Sequence, residues 1–464
     1  MSTKRPLLNA LNNMMIKDVP SYGNKFFYSL GFLSMIAFMI LIVTGVVMVF
    51  FGPTWWLTNN IGQYTRSIHM WATQAFVLFV ILHLIIVFFT SGFKKPRRLT
   101  WAIGVTMMFI VLAETEFGYV LRGDYTSQWR GLQGADFYNG SGIGNLINAL
   151  NSNQIYGIHI IVVPLTILGL LSSHYLLVRV LGIAKPYRKD KVVATVPANH
   201  KVLFMRGGVL IVLILALAAF LPSPYIKPTT IQSVAQSDPY LMGKTLVAEF
   251  TASSDTATYL DNIAPYTYNM SDVYVSTPYA QYVQLQNDKT NYFSVYNQQQ
   301  PDIKAQQLQV VNDYFSKDVP GADKPPVNSL MRVIDSLTTM AQAGLYEPAI
   351  ASEQSTGQLN GPTYVLRFLS DTGVLATKAV SLNITTDQYG MVHEGAGNAP
   401  GAWWLLPIGI LDHTVLANDA NGDRDAAIIF GSLMLTMLAF PFIPYVNQIP
   451  DKLQVWRLIW RQKK

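Results

Sequence analysis

The sequence predicts an all-α protein that crosses a membrane six times and carries one large folded insertion. Half of its 464 residues are hydrophobic and 13% are charged, whereas soluble domains carry about 25% charged residues. Apolar runs of about 20 residues, the length that a spanning helix needs, recur along the chain. The predicted spans are residues 26–50, 67–90, 100–121, 156–181, 204–222 and 426–446.

Lysine and arginine gather in alternate connecting segments. The basic segments include Lys4 and Arg5, the run 94–98, the segment 185–206 and the C-terminal tail 452–464. The positive-inside rule places these segments in the cytoplasm. We therefore expect a multi-pass protein of the cell membrane with both termini cytoplasmic and residues 224–398 outside.

The composition divides the chain into four parts. We expect a four-helix bundle over 1–200, a fifth spanning helix over 201–223, an extracytoplasmic soluble insertion over 224–398, and a last part over 399–464 that contains the sixth span and a basic tail. Inside the insertion, runs near 302–316 and 327–345 are helix-like, and runs near 363–369 and 378–385 are strand-like, which predicts an α+β insertion. The chain has no cysteine, which excludes disulfides and covalently attached c-type haem.

Four of the seven histidines lie in two predicted spans: His69 and His83 in the second, His159 and His174 in the fourth. The members of each pair are close to four helical turns apart, so they share a face and stand about 21 Å apart along the axis. His69, near the outer end of its span, should face His159 near the outer end of the other, and His83 should face His174 near the inner end. Facing imidazoles can ligate a haem iron from both sides, so this pattern predicts two haems. For a single histidine, a satisfied polar core group is the alternative.

Glycines repeat in the same register. Gly31 and Gly45 lie in the first span, and Gly104 and Gly118 lie in the third. A flat macrocycle between helices requires close backbone approach, which glycine allows. We expect Gly31 and Gly104 at the inner site and Gly45 and Gly118 at the outer site, with small-residue helix packing as the alternative for any one glycine.

Residues 26–188 resemble cytochrome b of the Rieske/cytochrome b complexes, in particular the plastid and cyanobacterial branch. The matching segments include Phe27-Tyr-Ser-Leu-Gly31, Arg66-Ser-Ile-His69, Gly118-Tyr-Val-Leu121 and His174-Tyr-Leu-Leu-Val-Arg179. The resemblance implies a bundle with two non-covalent b-type haems, quinol as the substrate on the outer side, and a separate redox partner. It also implies that Arg66 and Arg179 lie near the haem propionates, the alternative being that they snorkel to the interface.

The sequence departs from the family at its outer quinol motif. The family's Pro-Glu-Trp-Tyr is best matched by Pro400-Gly-Ala-Trp-Trp404, which lacks the glutamate. Ser29 stands where the plastid branch has a cysteine that holds an extra haem, so that attachment is impossible here. The large insertion is not a feature of the family.

Quinol oxidation requires a proton acceptor, and Glu116 and Glu114 near the outer end of the third span are the candidates for it. The alternative for both is an ion pair with Arg122 or Arg130. The segment Asp412-His413 is a weaker candidate, as are inner-side residues around His200 for a quinone-reducing pocket.

Two functions are compatible with these features. The first is a di-haem cytochrome b subunit of a quinol-oxidising complex, with a Rieske iron–sulfur protein or another redox subunit as partner, embedded in lipid as a homodimer or larger complex. The second is a haem-bearing membrane anchor for an extracytoplasmic reductase or hydrogenase.

Overall fold

The computed structural model describes residues 16–183, 194–259, 263–286, 289–317, 324–352, 359–390, 392–397, 399–419 and 421–460. Over these residues the chain is predominantly helical, and two short antiparallel strands, Asp18–Pro20 and Thr195–Pro197, join the segments that precede the first and fifth spans. The predicted all-α class is confirmed. The basic residues at 4–5, 185–191 and 461–464, on which part of the orientation rests, lie outside the described residues.

Among the residues that the structure describes, six helices are long and apolar enough to cross a membrane, which confirms the six predicted spans and indicates a multi-pass membrane protein. In order, the first to sixth spans are Phe26–Thr58, Asn60–Phe89, Arg98–Val120, Ser152–Leu181, His200–Phe220 and Arg424–Phe442.

The first two spans form a tight hairpin. The first bends near its end at Gly52, whose φ of 75° suits glycine, and Pro53 follows it. Asn59 then caps the second span by accepting backbone N–H bonds with its side chain. A Cβ atom on Gly62 would lie 2.3 Å from the carbonyl oxygen of Trp55. The tight turn between the first and second spans therefore requires glycine at this position.

The first four spans enclose one apolar core, and the last two spans pack on its outside. Residues that meet in this core include Phe38, Phe76, Val111 and Ile167. The fifth span packs Leu210 and Ile214 against the first two spans. The sixth span lies against the third, where the indole of Trp101 donates to the carbonyl of Met437 over 2.8 Å.

The insertion between the fifth and sixth spans is helical in its described residues. Its helices of more than five residues are Ile231–Ser237, Pro239–Phe250, Thr277–Leu285, Tyr292–Asn297, Pro301–Phe315, Ser329–Gln342, Tyr346–Ala351, Gly361–Asp371 and Val374–Ser381. After it come the helices Leu406–His413, Gly422–Ala439, Ile449–Leu453 and Trp456–Trp460. The helix-like runs 302–316 and 327–345 are confirmed.

The predicted strands at 363–369 and 378–385 are wrong, because helices Gly361–Asp371 and Val374–Ser381 occupy most of these positions. The side chain of Asn360 accepts the N–H of Thr363 and caps the first of them. Tyr364 and Phe368, four residues apart, are both buried, so the apolar run follows a helical period. Short apolar runs do not distinguish a strand from a buried helix.

The connection between the third and fourth spans shares its core with the insertion. Helix Tyr125–Gly140 contributes Tyr125, Leu132 and Ala135 to the cluster that the insertion helices bury. The indole of Trp129 donates to the carbonyl of Ile384 over 3.1 Å. Both segments therefore lie at the same end of the bundle, which we call the outer end.

A buried pair of carboxyl groups lies inside the insertion. Glu249 is fully buried and accepts a hydrogen bond from Ser254 at 3.1 Å, and Asp371 accepts the N–H of Thr256 at 2.9 Å. Burial, followed by the neighbouring Asp371 carboxyl, raises the pKa of Glu249 to about 10, and burial also raises the pKa of Asp371. The pair therefore holds a proton at neutral pH.

We expect the insertion to lose stability as the pH rises from about 6 to about 9. A carboxyl group whose folded pKa is raised binds its proton more tightly in the folded than in the unfolded chain. The stability that this proton confers is complete below the ordinary carboxyl pKa and is lost as the pH climbs toward the raised value, by at most about 1.4 kcal/mol per pH unit. Glu249→Gln should flatten this dependence, measured as the thermal midpoint by differential scanning calorimetry at several pH values.

The exposed Asp302→Asn variant in helix Pro301–Phe315 is the control and should retain the wild-type slope. An unchanged slope in Glu249→Gln would show that the pair is ionised in the folded protein.

Candidate functional site

Two pairs of histidines meet between the second and fourth spans. The ring centroids of His69 and His159 are 6.3 Å apart, with an angle of 64° between the ring planes. His83 interacts electrostatically with His174. The structure thus brings together the same residues that the sequence paired, one pair nearer the outer end and one nearer the inner end.

Each of the four repeated glycines lies against the ring of one of these histidines. A Cβ atom would lie 3.5 Å from Cε1 of His69 at Gly45, 3.1 Å from Cε1 of His159 at Gly118, 3.2 Å from Cε1 of His83 at Gly31 and 3.3 Å from Cε1 of His174 at Gly104. Other glycines in the spans, such as Gly169 and Gly431, have nothing within 4 Å of that position. The first and third spans therefore approach the rings through backbone alone.

A π-helical turn explains the unequal spacing of the two histidine pairs. Residues Ile158–Val162 form this turn, and the N–H of Val163 donates to the carbonyl of Ile158, five residues earlier. Pro164 follows and has no N–H to continue the regular ladder. A π turn accommodates one extra residue. His159 and His174, 15 residues apart, therefore reach nearly the register that His69 and His83 reach with 14.

Nδ1 of each outer histidine lies close to a polar side chain. The hydroxyl of Thr44 donates to the carbonyl of Ile40 at 2.7 Å and lies 2.9 Å from Nδ1 of His69, from which it can accept a hydrogen bond. Donation from Nδ1 of His69 leaves its Nε2 with a free lone pair, the form in which imidazole binds a metal. Nδ1 of His159 lies 3.0 Å from Oε1 of Glu114. Sequence reasoning missed Thr44, although its position directly before Gly45 was a usable signal.

A cavity of about 950 Å³ opens among the first four spans at this end. Its lining includes both outer histidines and both outer glycines, together with Arg66, Arg122 and Glu114. The remaining lining is mostly apolar. This volume lies at the upper end of the range of about 300–1,000 Å³ that is usual for ligand pockets.

The donor set at this cavity fits a haem. The imidazoles of His69 and His159 lie with 6.3 Å between their ring centroids, and imidazole is a ligand of haem iron. Bare backbone at Gly45 and Gly118 leaves room beside the two rings.

Two arginines at the outer end join the bundle to the insertion. Arg66 donates to Asp124 at 3.0 Å and to the carbonyl of Pro224 at 2.9 Å. One nitrogen of Arg122 donates to both oxygens of Glu394, at 2.7 and 2.8 Å. Burial alone would lower the pKa of Arg122, but the carboxylates of Glu394 and Asp124 outweigh it and hold that pKa above its usual range. The sequence singled out Arg66 but neither Asp124 nor Glu394.

The two candidate glutamates have different neighbours. Oε2 of Glu116 pairs with Arg130 at 2.9 Å, which is one of the alternatives that the sequence left open. Glu114 contacts His159 and lines the cavity.

The segment that resembles the family's quinol motif docks beside the outer cavity. The amide of Gln74 donates to the carbonyls of Pro400 at 3.0 Å and Gly401 at 3.2 Å. In return, Trp403 donates to Oε1 of Gln74 at 2.8 Å. Gln74 follows His69 in the second span and lines the cavity, so this contact holds the segment against the outer site.

The remaining candidates lie farther from the histidine pairs or toward the inner end. His413 stacks on Tyr389 with 4.0 Å between ring centroids. Arg179 is exposed on the fourth span. His200 begins the fifth span, and Arg206 in the same span donates to the hydroxyl of Ser29.

The chain is similar to known proteins over its first half. The family model described as Cytochrome b (N-terminal)/b6/petB matches residues 74–239. Cytochrome b6 of Heliobacterium modesticaldum is 31% identical over 190 residues, which cover 36% of this chain and 89% of the relative. Cytochrome b6 of Synechocystis is 34% identical over 192 residues, covering 37% of this chain and 86% of the relative.

Among solved structures, a chain of a hyperthermophilic respiratory Complex III aligns over 97% of this chain and 98% of its own length, at 14% identity and a TM-score of 0.42. The two cytochrome b6 relatives are more than 30% identical to this chain, and the match covers 89% and 86% of their lengths. The chain belongs to the cytochrome b/b6 family, whose cofactor is haem b.

Proposed function

We propose that this chain is the di-haem cytochrome b subunit of a membrane complex that oxidises quinol and passes the electrons to a partner redox subunit. The observation that carries the proposal is the pairing of each repeated glycine with the ring of one intramembrane histidine. Four such contacts at two depths provide two sites in which paired imidazoles could hold a flat macrocycle beside bare backbone.

The residues of each site have different roles. At the outer site, His69 and His159 would hold the iron, Gly45 and Gly118 would leave room for the ring, and Thr44 and Glu114 lie beside Nδ1 of the two imidazoles. At the inner site, His83 and His174 would be the ligands, and Gly31 and Gly104 would leave the room.

Haem, when bound, supplies reversible one-electron transfer. The two histidine pairs stand about 21 Å apart along the helices, within an apolar layer of about 30 Å. Redox groups held at both depths would therefore connect the two faces of the membrane.

The side chains of Arg66 and Arg122 supply positive charge for propionate groups at the outer cavity, which both residues line. Arg179, near the inner end of the fourth span, is exposed, and its positive charge could interact with propionate groups at the inner site.

On the outer side, quinol must release protons as well as electrons. We assign proton acceptance to Glu116, with Glu114 as the second candidate. One oxygen of Glu116 pairs with Arg130, and the other, Oε1, is buried with no hydrogen-bond partner among the described residues. That oxygen is available to accept a proton.

The electrons require an acceptor outside this chain, and a Rieske iron–sulfur protein or another redox subunit at the outer end would provide one. The insertion and the connection 121–151 lie together at that end. At the other end, Arg97 donates to the carbonyl of Leu181 at 2.7 Å, and Lys94 pairs with Asp451. These cations support a cytoplasmic inner end, and we expect the complex to be a homodimer or larger in the cell membrane.

The purified protein should contain two b-type haems per chain by pyridine haemochrome assay. Gly118→Leu should remove the outer haem, because a Cβ at this position already lies 3.1 Å from the ring of His159. Gly104→Leu should remove the inner haem for the same reason. Each variant should then retain one haem, which also shows that the bundle has folded.

The matched control is Gly169→Leu in the fourth span, which has open space at this position and should keep both haems. One haem per chain in the unaltered protein, or two in Gly118→Leu, would contradict the di-haem arrangement.

Glu116→Gln should slow reduction of the outer haem by quinol. The amide keeps the size and polarity of the side chain but cannot accept the proton, and loss of a general base costs about 10²–10⁴-fold in rate. The measurement is stopped-flow reduction of the outer haem in protein shown to contain both haems.

The exposed Asp419→Asn serves as the control and should react at the wild-type rate. If Glu116→Gln reacts within a few-fold of wild type, Glu116 is not the proton acceptor, and the choice passes to Glu114.

The absence of cysteine permits a direct test of orientation. A cysteine in place of Val327, whose side chain is 88% exposed in the insertion, should react with an impermeant maleimide in intact cells. A cysteine in place of the exposed Lys95 at the inner end should react only after the membrane is permeabilised. The reverse pattern would invert the topology and exchange the sides of the two sites.

A further inference from the structure

We propose that the carboxylate of Glu114, which lies 3.0 Å from Nδ1 of the proposed ligand His159, lowers the reduction potential of the outer haem. This inference rests on the proposed di-haem function and assigns a positioning residue to one of its two sites. It predicts an electrical asymmetry between the outer and inner sites.

The geometry brings the carboxylate to the far side of the imidazole. Oε1 of Glu114 lies 3.0 Å from Nδ1 of His159, and the two side chains are 16% and 21% exposed. Glu114 stands four residues before Gly118 in the third span, which places the two on one face of that helix. The same helix therefore supplies both the close backbone and the carboxylate that His159 contacts.

The other three histidines have different surroundings. Nδ1 of His69 lies against the neutral hydroxyl of Thr44 at 2.9 Å. Among the described residues, neither His83 nor His174 forms an ion pair with a carboxylate, whereas His159 does. The carboxylate contact therefore distinguishes one axial ligand of the outer pair from the ligands of the inner pair.

The nearby charge of Glu116 is already balanced. Glu116 pairs with the buried Arg130 at 2.9 Å, while no lysine or arginine of the described chain forms an ion pair with Glu114. The negative charge that acts on the outer site is consequently that of Glu114.

The physical effect follows from charge. A negative charge in the apolar interior favours the oxidised iron, which carries one more positive charge than the reduced iron. The carboxylate of Glu114 would therefore lower the outer potential relative to the inner one.

The test is a redox titration of the purified complex, followed in the haem α-band, for the unaltered protein and Glu114→Gln. The amide retains a hydrogen-bond acceptor but removes the charge. We expect the outer midpoint to rise and the inner midpoint to stay constant. Outer-shell partners of metal ligands typically alter affinity by about 10–100-fold. If the two oxidation states differ by a factor in that range, the shift is about 60–120 mV for a one-electron couple.

The exposed Asp419→Asn is the control for loss of a carboxylate and should leave both midpoints unchanged. Glu114→Asp keeps the charge at a greater distance and should give an intermediate shift, which decides the matter if the Gln variant loses its outer haem. Low-temperature EPR should show altered g-values for the outer low-spin haem alone.

An unshifted outer midpoint in Glu114→Gln, or an equal shift in Asp419→Asn, would overturn the inference while leaving the di-haem function intact. Fewer than two haems in the unaltered protein would instead contradict the proposed function, so the two failures are distinguishable.

Discussion

The close approach of two glycine-bearing helices to two histidine-bearing helices is the constraint on which the rest of this structure depends. Imidazole groups at membrane depth are costly unless they have partners. Here their Cε1 atoms lie against bare backbone at Gly31, Gly45, Gly104 and Gly118, where a Cβ atom would be 3.1–3.5 Å away. The apolar core of the first four spans, including Phe38, Phe76 and Val111, is built around this spacing.

The register of the fourth span is a consequence of the same constraint. A regular α-helix would rotate His159 and His174 away from a common face by more than it rotates His69 and His83. The π turn at Ile158–Val162 absorbs the additional residue, at the place where Pro164 already interrupts the hydrogen-bond ladder. π turns often occur at functional sites, and here the turn contains the proposed ligand itself.

The insertion is coupled to the outer site by buried charges. Removing one partner from a buried ion pair leaves an uncompensated charge, which is strongly destabilising. Arg122 and Arg66 depend on Asp124 and on Glu394 from the end of the insertion for compensation. The outer cavity and the insertion therefore form one electrostatic unit, and a partner that binds the insertion is in a position to affect the site below it.

The sequence by itself determined the six spans, the histidine pairs and the matching glycines, because apolar length and helical spacing are local properties that one helix imposes on its own residues. Tertiary structure decided the contacts that join distant segments. The pairing of Arg122 with Glu394 spans 272 positions, and the choice of Glu116 for Arg130 and Glu114 for His159 depends on how the helices are rotated about their axes. The run 363–369 became a helix because its apolar residues meet a common core with Tyr125 and Leu132, a contact that no local pattern encodes.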